Sequence, residues 1–162
     1  MNKETKSKIT AFIIAVTIPL ATGGFSAFLT RNNMDIYEEI ITPPLSPPSF
    51  LFPVVWTVLY FLMGVSAAFI WKKRKENKEE TETALLIYAA SLVFNFIWSL
   101  IFFNSRMYLF SFIWLIALLI LIITTIIKYK KLSSAAAYIQ IPYALWVTFA
   151  GYLNFGIFIL NR

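Results

Sequence analysis

The chain has 162 residues, of which 59 % are hydrophobic and only 14 % are charged, against roughly 25 % charged residues in an average soluble domain. It contains no Cys and no His, which excludes disulfides and thiolate sites and removes the commonest general base, metal ligand and haem ligand. The net charge of +6 comes from basic residues that flank apolar segments. Such residues direct membrane topology and attract lipid head groups, so we expect no nucleic-acid partner. Because Cys and His are absent, we also expect no metal site.

In chain order, five apolar segments run over about residues 9–29, 50–71, 83–103, 108–127 and 134–160. At ~1.5 Å per residue, each is long enough to cross a ~30 Å hydrocarbon core as a helix. Because the segments are continuous rather than alternating, they favour helices over a barrel. We therefore predict an all-α, polytopic membrane protein, a single domain of residues 1–162 that forms a five-transmembrane-helix bundle. The first segment exceeds the ~7–15 residues of a signal-peptide core, so we expect it to be retained.

Basic residues between the segments indicate the orientation of the bundle. Eleven of the fourteen would lie on one side of the membrane: Lys3, Lys6, Lys8, Lys72, Lys73, Arg74, Lys75, Lys78, Lys128, Lys130 and Lys131. The other side would carry Arg31, Arg106 and Arg162. The positive-inside rule then predicts a cytoplasmic N-terminus and an outside C-terminus, and the basic loops favour a bacterial plasma membrane.

Prolines mark the first loop, residues 30–49, which is the longest. Proline fixes its own φ and pushes the residue before it to extended conformations. The pairs Pro43–Pro44 and Pro47–Pro48 therefore predict a semi-rigid strap that does not continue a helix, either a lid over the bundle or a plain linker. Pro53 falls in the first turn of the second segment, where a missing N–H costs little. Pro142 predicts that the last segment kinks or starts outside the hydrocarbon.

The five segments contain no Asp, Glu, Lys, Arg or His in their interiors. A proton-coupled pump normally needs such a group, and acid–base or triad catalysis needs several. Their absence weighs against coupled transport and conventional enzymology and leaves passive transport open.

Aromatic and amide side chains therefore carry the candidate chemistry. They form three stripes at helical spacing: Trp56 with Tyr60; Asn95 with Trp98 and Ser99; Tyr143 with Trp146 and Ala150. An aromatic surface beside a buried amide favours a flat apolar ligand, stacked on rings and oriented by one or two hydrogen bonds. Packing of the tryptophans and helix–helix bonding by Asn95 are the plain alternatives. Trp71 and Trp114, nearer segment ends, are expected to anchor at the membrane interface.

Three stretches identify a resemblance: "PPLSPPSFLFPVVWTVLYFLMG", "NFIWSLIFF" and "PYALWVTFAGYLN". In this order and spacing they resemble the TspO/MBR family of tryptophan-rich sensory and translocator proteins, over nearly the whole chain. The resemblance implies a five-helix bundle, usually dimeric, with a pocket near the first loop that binds porphyrins and benzodiazepine-type ligands. It also implies light- and oxygen-dependent porphyrin breakdown in some members and sterol binding in eukaryotic ones.

By this resemblance the ligand site would comprise Tyr37, Trp56, Tyr60, Asn95, Trp98, Trp146 and Ala150, and helical spacing adds Tyr143. Trp56 and Trp146 would take part in any photochemistry of the bound porphyrin. The chain departs from the family loop at Ile36, where Trp is usual, and at Thr42, where Lys is usual. These changes remove one aromatic ring and one cation, and Arg31 is a candidate replacement for the cation.

The expected function is a membrane sensor or regulator that binds a porphyrin, without an obligatory cofactor, as a homodimer in a lipid bilayer. Passive transport of porphyrins or other apolar metabolites is the main alternative, and a regulatory membrane partner with a vestigial pocket is another. For the dimer face the sequence offers two pairs of small residues spaced by four, Gly64 with Ala68 and Ala11 with Ala15.

Overall fold

The computed structural model describes residues 3–34 and 36–162. Met1, Asn2 and Asp35, which fall within the predicted domain or the predicted loop, lie outside the described residues. Five long helices occupy the predicted segments: α1 (Lys3–Thr30), α3 (Leu51–Trp71), α4 (Lys78–Ser99), α5 (Tyr108–Leu132) and α6 (Ser134–Leu160). Over the described residues, these five are long and apolar enough to cross a membrane. The predicted five-span, all-α membrane bundle is therefore confirmed.

The helices form a closed ring in the order α1, α3, α6, α5, α4. Helices α1 and α3 approach closely at Gly64, which lies on the backbone of α1. A Cβ built on Gly64 would meet the Val16 Cα at 2.5 Å and the Ala15 carbonyl oxygen at 2.8 Å. Gly64 and the buried Ala68 therefore pack within one protomer, so the first of the two small-residue pairs is not open for a dimer face.

The interior of the ring is filled mainly by large side chains, among them Met63, Tyr129 and Tyr143, each at most 1 % exposed. Buried hydroxyls join helices where no charge is present: the Ser66 Oγ donates to the Ala136 carbonyl oxygen of α6 at 2.8 Å. Such bonds are favoured in membranes because a polar group facing lipid has no water to bond.

Two helix starts follow from local sequence. Ser133 caps α6, because its Oγ accepts a hydrogen bond from the Ala136 N–H at 3.3 Å, the usual role of Ser at an N-cap. Pro53 is the third residue of α3, where no intrahelical donor is lost. Pro142 instead lies well inside α6, which runs through it from Ser134 to Leu160.

The first loop differs from the prediction. It begins with a 3₁₀ turn (Arg31–Asn33) and a short helix α2 (Ile36–Glu39), and only the part that follows, residues 40–50, is free of helix. The prolines start at Pro43 and restrict only themselves and their immediate predecessors, so they do not prevent a helical turn upstream. We call residues 40–50 the proline strap.

A second local difference lies at the end of α4. The chain continues from Ser99 into a π-helical segment, Leu100–Asn104, where a regular helix was predicted. π-Turns insert a residue and re-aim side chains, and they are frequent at functional sites. Here the segment carries Phe102 and Phe103 toward the centre of the bundle.

Candidate functional site

A cavity of about 250 Å³ lies inside the bundle at the end opposite the N-terminus. Four of the long helices contribute to it: the last turns of α1, α4 and α6 and the first turns of α3, with the π-helical segment and α2 at the mouth. Its lining is Gly23, Ser26, Ala27, Thr30, Met34, Tyr37, Phe52, Pro53, Trp56, Tyr60, Asn95, Trp98, Ser99, Phe102, Phe103, Ala150, Leu153, Asn154 and Ile157. We call it the aromatic cavity.

Stacked and tilted rings form one side of the aromatic cavity. The Trp56 ring centroid lies 5.5 Å from that of Tyr60 and 6.4 Å from that of Trp98. Trp98 in turn stacks on Phe102 at 5.4 Å. Offset arrangements at 4.5–7 Å are the favourable ones for aromatic pairs. The result is a continuous aromatic surface drawn from α3, α4 and the π-helical segment.

Asn95 supplies the amide of this cavity. It is 2 % exposed, and its Nδ2 donates to the Tyr60 hydroxyl at 2.9 Å. Among the described residues, its Oδ1 accepts no hydrogen bond. A buried amide oxygen at a cavity wall can therefore accept one from a ligand, and leaving it unpaired has a cost.

Asn154, which the sequence analysis did not select, is the second amide of the cavity. Its Oδ1 accepts from the Trp98 Nε1 at 3.3 Å and from the Ser111 Oγ at 2.9 Å. Its Nδ2 donates to the Tyr108 carbonyl oxygen at 2.8 Å. Asn154 has the same signal in the sequence as Asn95, since it is a polar residue inside an apolar segment, one turn beyond Ala150.

Small residues of α1 complete the cavity, and these were also missed. A Cβ on Gly23 would lie 2.2 Å from the Cε2 of Tyr60, so the absence of a side chain at this position makes room for the tyrosine ring. One turn further, the Ser26 and Ser99 hydroxyls are hydrogen-bonded to each other and join α1 to α4. Small residues have no distinctive pattern along an apolar helix, so their role in the cavity has no signal in the sequence.

Tyr37 lies at the mouth of the aromatic cavity on α2. Its ring is 4.9 Å from that of Phe52. Burial raises the pKa of Tyr37 to about 12, so its hydroxyl keeps its proton throughout the physiological range. The neighbouring Ile36, which departs from the family pattern, is 1 % exposed and fixes α2 to the bundle by burial of its side chain.

The proline strap does not itself line the cavity. It is attached to α6 instead: a Cβ on Gly156 would lie 2.7 Å from Pro43, and the Tyr152 hydroxyl donates to the Pro44 carbonyl oxygen at 2.8 Å. Asn161 bonds both the N–H and the carbonyl of Ile41, at 2.9 and 2.8 Å. The segment above Trp56 is therefore the helical half of the loop, and the prolines anchor it.

A tight turn keeps the strap against α6. The Ser46 N–H and Oγ both donate to the Pro43 carbonyl oxygen, at 3.3 and 2.7 Å, and Leu45 has a φ of 68°. Proline at the second position and a positive φ at the third are the pattern of a type II turn. Leu45 keeps this left-handed backbone although its side chain is 83 % exposed. Its conformation is therefore set by the turn and not by packing of the side chain.

Six of the eight predicted ligand residues line the aromatic cavity, and two do not. Tyr143 lies behind the wall, with its ring 6.2 Å from that of Trp56. Trp146 contacts Phe52 and lies on a shallow groove between α3 and α6. Its indole N–H is buried and has no hydrogen-bond partner among the described residues. Ligand binding by all eight residues stays a prediction.

Trp71 and Trp114, both predicted to anchor at the membrane interface, differ in their exposure and contacts. Trp71 is 43 % exposed, at the end of α3. Trp114 instead stacks on Phe94 at 4.5 Å, and its Nε1 donates to the Phe94 carbonyl oxygen at 2.8 Å. It therefore holds α5 to α4.

Known proteins resemble this chain over almost its full length. Residues 15–160 match the model of the TspO/MBR family. A "Tryptophan-rich protein TspO" from Chlorobaculum tepidum is 32 % identical, with 99 % of each chain covered. A "Tryptophan-rich sensory protein" from Cereibacter sphaeroides is 31 % identical over 93 % of this chain and 89 % of its own length. A "Translocator protein" from Ovis aries is 28 % identical over 88 % and 85 %.

Proposed function

The chain belongs to the TspO/MBR family, and from that premise we propose that it is a membrane sensory or regulatory protein that binds a porphyrin in the aromatic cavity. The observation that carries the proposal is the joint presence of the aromatic wall and the free amide oxygen of Asn95. A flat conjugated ring stacks on Trp56 and Trp98, and a ring N–H meets the Asn95 Oδ1. A relative named for a sensory role supports the sensory part.

The size of the cavity requires the mouth to open. Its 250 Å³ is below the ~300–1,000 Å³ of typical small-molecule pockets. Because the proline strap is attached to α6 by Asn161 and Tyr152, we propose that α2 moves with Tyr37 while the strap stays in place. Such a hinged opening is the usual way in which a lid admits a ligand.

Arg31 is the proposed partner for a porphyrin carboxylate. It follows Thr30, which lines the cavity, and its guanidinium lies 4.1 Å from the Phe28 ring centroid. Among the described residues it makes no ion pair, whereas Arg106 pairs with Glu39 at 3.4 Å. Arg31 can therefore supply the cation that Thr42 does not.

Binding is favoured over passive transport by the packing below the cavity. Met63, Tyr143 and Val147 are each 1 % exposed and fill the centre of the bundle. A porphyrin would have to displace these large side chains to cross, at a cost typical of core disruption. Flux of porphyrin into proteoliposomes, measured beside binding, separates the two functions.

The decisive experiment is a titration of the purified protein with protoporphyrin, followed by quenching of tryptophan fluorescence in darkness and then under illumination in air. Saturable quenching that is lost in Asn95→Leu supports the proposal, because leucine has the same branched shape and lacks the amide. Undiminished binding in that variant would contradict it. Loss of porphyrin absorbance only with light, dioxygen and protein together would add photochemical breakdown to the function.

A further inference from the structure

A second concave surface lies at the opposite end of the bundle, where the N-terminus begins. It has two contiguous parts that share Ser7, Ala11 and Trp71. The inner part, about 620 Å³, is lined mainly by apolar side chains of α1, α3 and α4. The outer part, about 650 Å³, is lined largely by the basic residues that follow α3, together with Glu76, whose carboxylate pairs with Lys73. We call the two parts together the basic groove. It is separate from the aromatic cavity, with which it shares no residue.

We propose that the basic groove binds one anionic phospholipid of the adjacent leaflet, with its phosphate on the lysines and an acyl chain in the apolar part. A lipid fits this groove because the basic part matches a head group and the apolar part matches an acyl chain, in the order in which the membrane presents them. A soluble anion would not need the apolar part, and a neutral lipid would not need the lysines.

Charge supports an anionic head group. The outer part is bordered by Lys72, Lys75 and Lys78, none of which forms an ion pair with another residue that the structure describes. The nearby cations are already matched: Arg74 pairs with Glu82 at 2.7 Å and Lys73 with Glu76 at 3.0 Å. Lys72 and Lys75 thus have no ion-pair partner among the described residues, and Lys78 has only the electrostatic influence of Glu82 one turn away. Each cation near a membrane surface attracts anionic lipid.

Depth supports an acyl chain. Trp71, shared by both parts, is the kind of residue that lies at head-group level, and the Arg74 guanidinium lies 4.8 Å from its ring centroid. Along α1 the apolar part extends from Ser7 to Ile18. Eleven residues at ~1.5 Å each cover roughly 16 Å, about half of a ~30 Å hydrocarbon core and therefore one leaflet.

Small side chains keep the groove open. Ala11 and Ala15 of α1, Ala67 of α3 and Ala89 of α4 form its floor and walls. The Ala11–Ala15 pair, which the sequence offered as a dimer face, is thus the floor of a concavity between helices of one protomer. A flexible acyl chain fits such a concavity more readily than the straight helix of a second copy.

Native mass spectrometry of the full chain in detergent tests the proposal. The protein is titrated with phosphatidylglycerol and, separately, with phosphatidylcholine of identical acyl chains. We expect one phosphatidylglycerol retained per protomer, at least tenfold more tightly than phosphatidylcholine. Glycerol 1-phosphate, which has the anionic head without the chains, should not compete. Equal retention of the two lipids, or full competition by glycerol phosphate, would overturn the proposal.

Two matched pairs of variants distinguish a specific lipid site in the basic groove from non-specific attraction of anionic lipid by surface charge. Lys72→Gln with Lys75→Gln removes two charges from the groove, and Lys130→Gln with Lys131→Gln removes two from the end of α5 on the same membrane face. Only the first pair should abolish the preference for phosphatidylglycerol. Equal loss in both pairs would mean that only surface charge acts, which contradicts the proposal.

A filled groove gives an independent check. Ala89→Phe keeps every charge and places a ring in the apolar part from its exposed side, so the core is not overpacked. We expect loss of retained phosphatidylglycerol with an unchanged melting temperature. Unchanged retention of phosphatidylglycerol in Ala89→Phe would overturn the proposal. So would a second pattern, in which the unaltered chain is a dimer without bound lipid and Ala89→Phe is a monomer. That pattern would make a second copy of the chain the occupant of the groove.

Discussion

The ring of Pro43 lies directly on the backbone of Gly156, so close that a Cβ at Gly156 would be 2.7 Å from both the Cβ and the Cγ of the proline. This contact joins the first loop to α6 across more than a hundred residues of sequence. It explains how a strap without helix can hold α2 and Tyr37 over the aromatic cavity.

Gly156→Ala should therefore detach the strap. Overpacking of this kind typically costs ~1–3 kcal/mol, and the strap, rather than α6, is the part able to yield. We expect the Ile41 amide, which now donates to Asn161 at 2.9 Å, to exchange its hydrogen at least tenfold faster. Gly151→Ala is the control, because its added Cβ would meet nothing nearer than the Phe112 Cε2 at 3.9 Å. Similar exchange in both variants would show that the contact does not hold the strap.

Gly23→Ala should close the aromatic cavity. The new methyl group would overlap the Tyr60 ring, with 2.2 Å between Cβ and Cε2, and displacement of that ring breaks its bond to Asn95. We expect porphyrin affinity to fall by at least tenfold in the quenching titration. Gly24→Ala, whose Cβ would have no neighbour within 4 Å, should leave affinity unchanged and stabilise α1 by up to ~1 kcal/mol. Undiminished binding in Gly23→Ala would place the ligand elsewhere.

Asn154→Leu should destabilise the bundle. The amide makes three hydrogen bonds, to Trp98, Ser111 and Tyr108, and bonds between membrane helices average ~0.6 kcal/mol each. We expect a loss of about 2 kcal/mol in the free energy of unfolding, measured by denaturant titration in mixed micelles. Asn33→Ala, which removes an exposed bond to Asn104, should change it by less than ~0.5 kcal/mol. Equal losses of unfolding free energy in the two variants would mean that the Asn154 hydrogen bonds do not stabilise the contact of α6 with α4 and α5.

The cavity shows which features of a membrane site are readable from sequence. Trp56, Tyr60 and Trp98 are readable from the sequence because large or polar residues at i, i+3 or i, i+4 spacing stand out on an apolar helix. Trp146 shares helical spacing with Tyr143 and Ala150, but residues three or four positions apart can still lie on either side of a cavity wall, as Ala150 and Trp146 do. Gly23 has no such signal. It contributes by having no side chain, and this matters only because the Tyr60 ring packs against it.

In the first loop, local conformation can be predicted from the sequence but its attachment to the bundle cannot. Proline chemistry predicts a stretch after Pro43 that does not continue a helix, and residues 40–50 contain no helix, since the restriction is local. The attachment of that strap depends on Gly156 and Asn161, more than a hundred residues later. Long-range pairing of this kind has no local signature. For the same reason the α2 turn was missed, because it depends on burial of Ile36 against the bundle.

The predicted orientation awaits a topology measurement. Eleven of fourteen basic residues belong to the end of the bundle that carries the N-terminus, and the positive-inside rule places that end in the cytoplasm. A reporter fused after Arg162 that is active only outside the cytoplasm should be active, and one active only in the cytoplasm should be silent. The reverse pattern would invert the bundle and put the aromatic cavity on the cytoplasmic side.

Substitutions of Trp56 and Trp146 should have different effects on porphyrin binding. Trp56→Phe keeps a ring but removes stacking area at the centre of the wall, where Trp56 touches Tyr60, Trp98 and Tyr143. We expect porphyrin affinity to fall about tenfold, equivalent to ~1–2 kcal/mol. Any light-dependent loss of porphyrin should fall further, because phenylalanine can stack but lacks the redox chemistry of indole.

Trp146→Phe should weaken binding less than threefold, since Trp146 is connected to the cavity through Phe52 at 6.0 Å and does not line it. Trp114→Phe serves as the structural control: it loses the bond to the Phe94 carbonyl oxygen, so thermal stability should fall while affinity holds. The decisive comparison is between Trp56 and Trp146 in one titration. If Trp146→Phe is the more damaging of the two, the ligand occupies the groove between α3 and α6, and the aromatic cavity is only a packing defect.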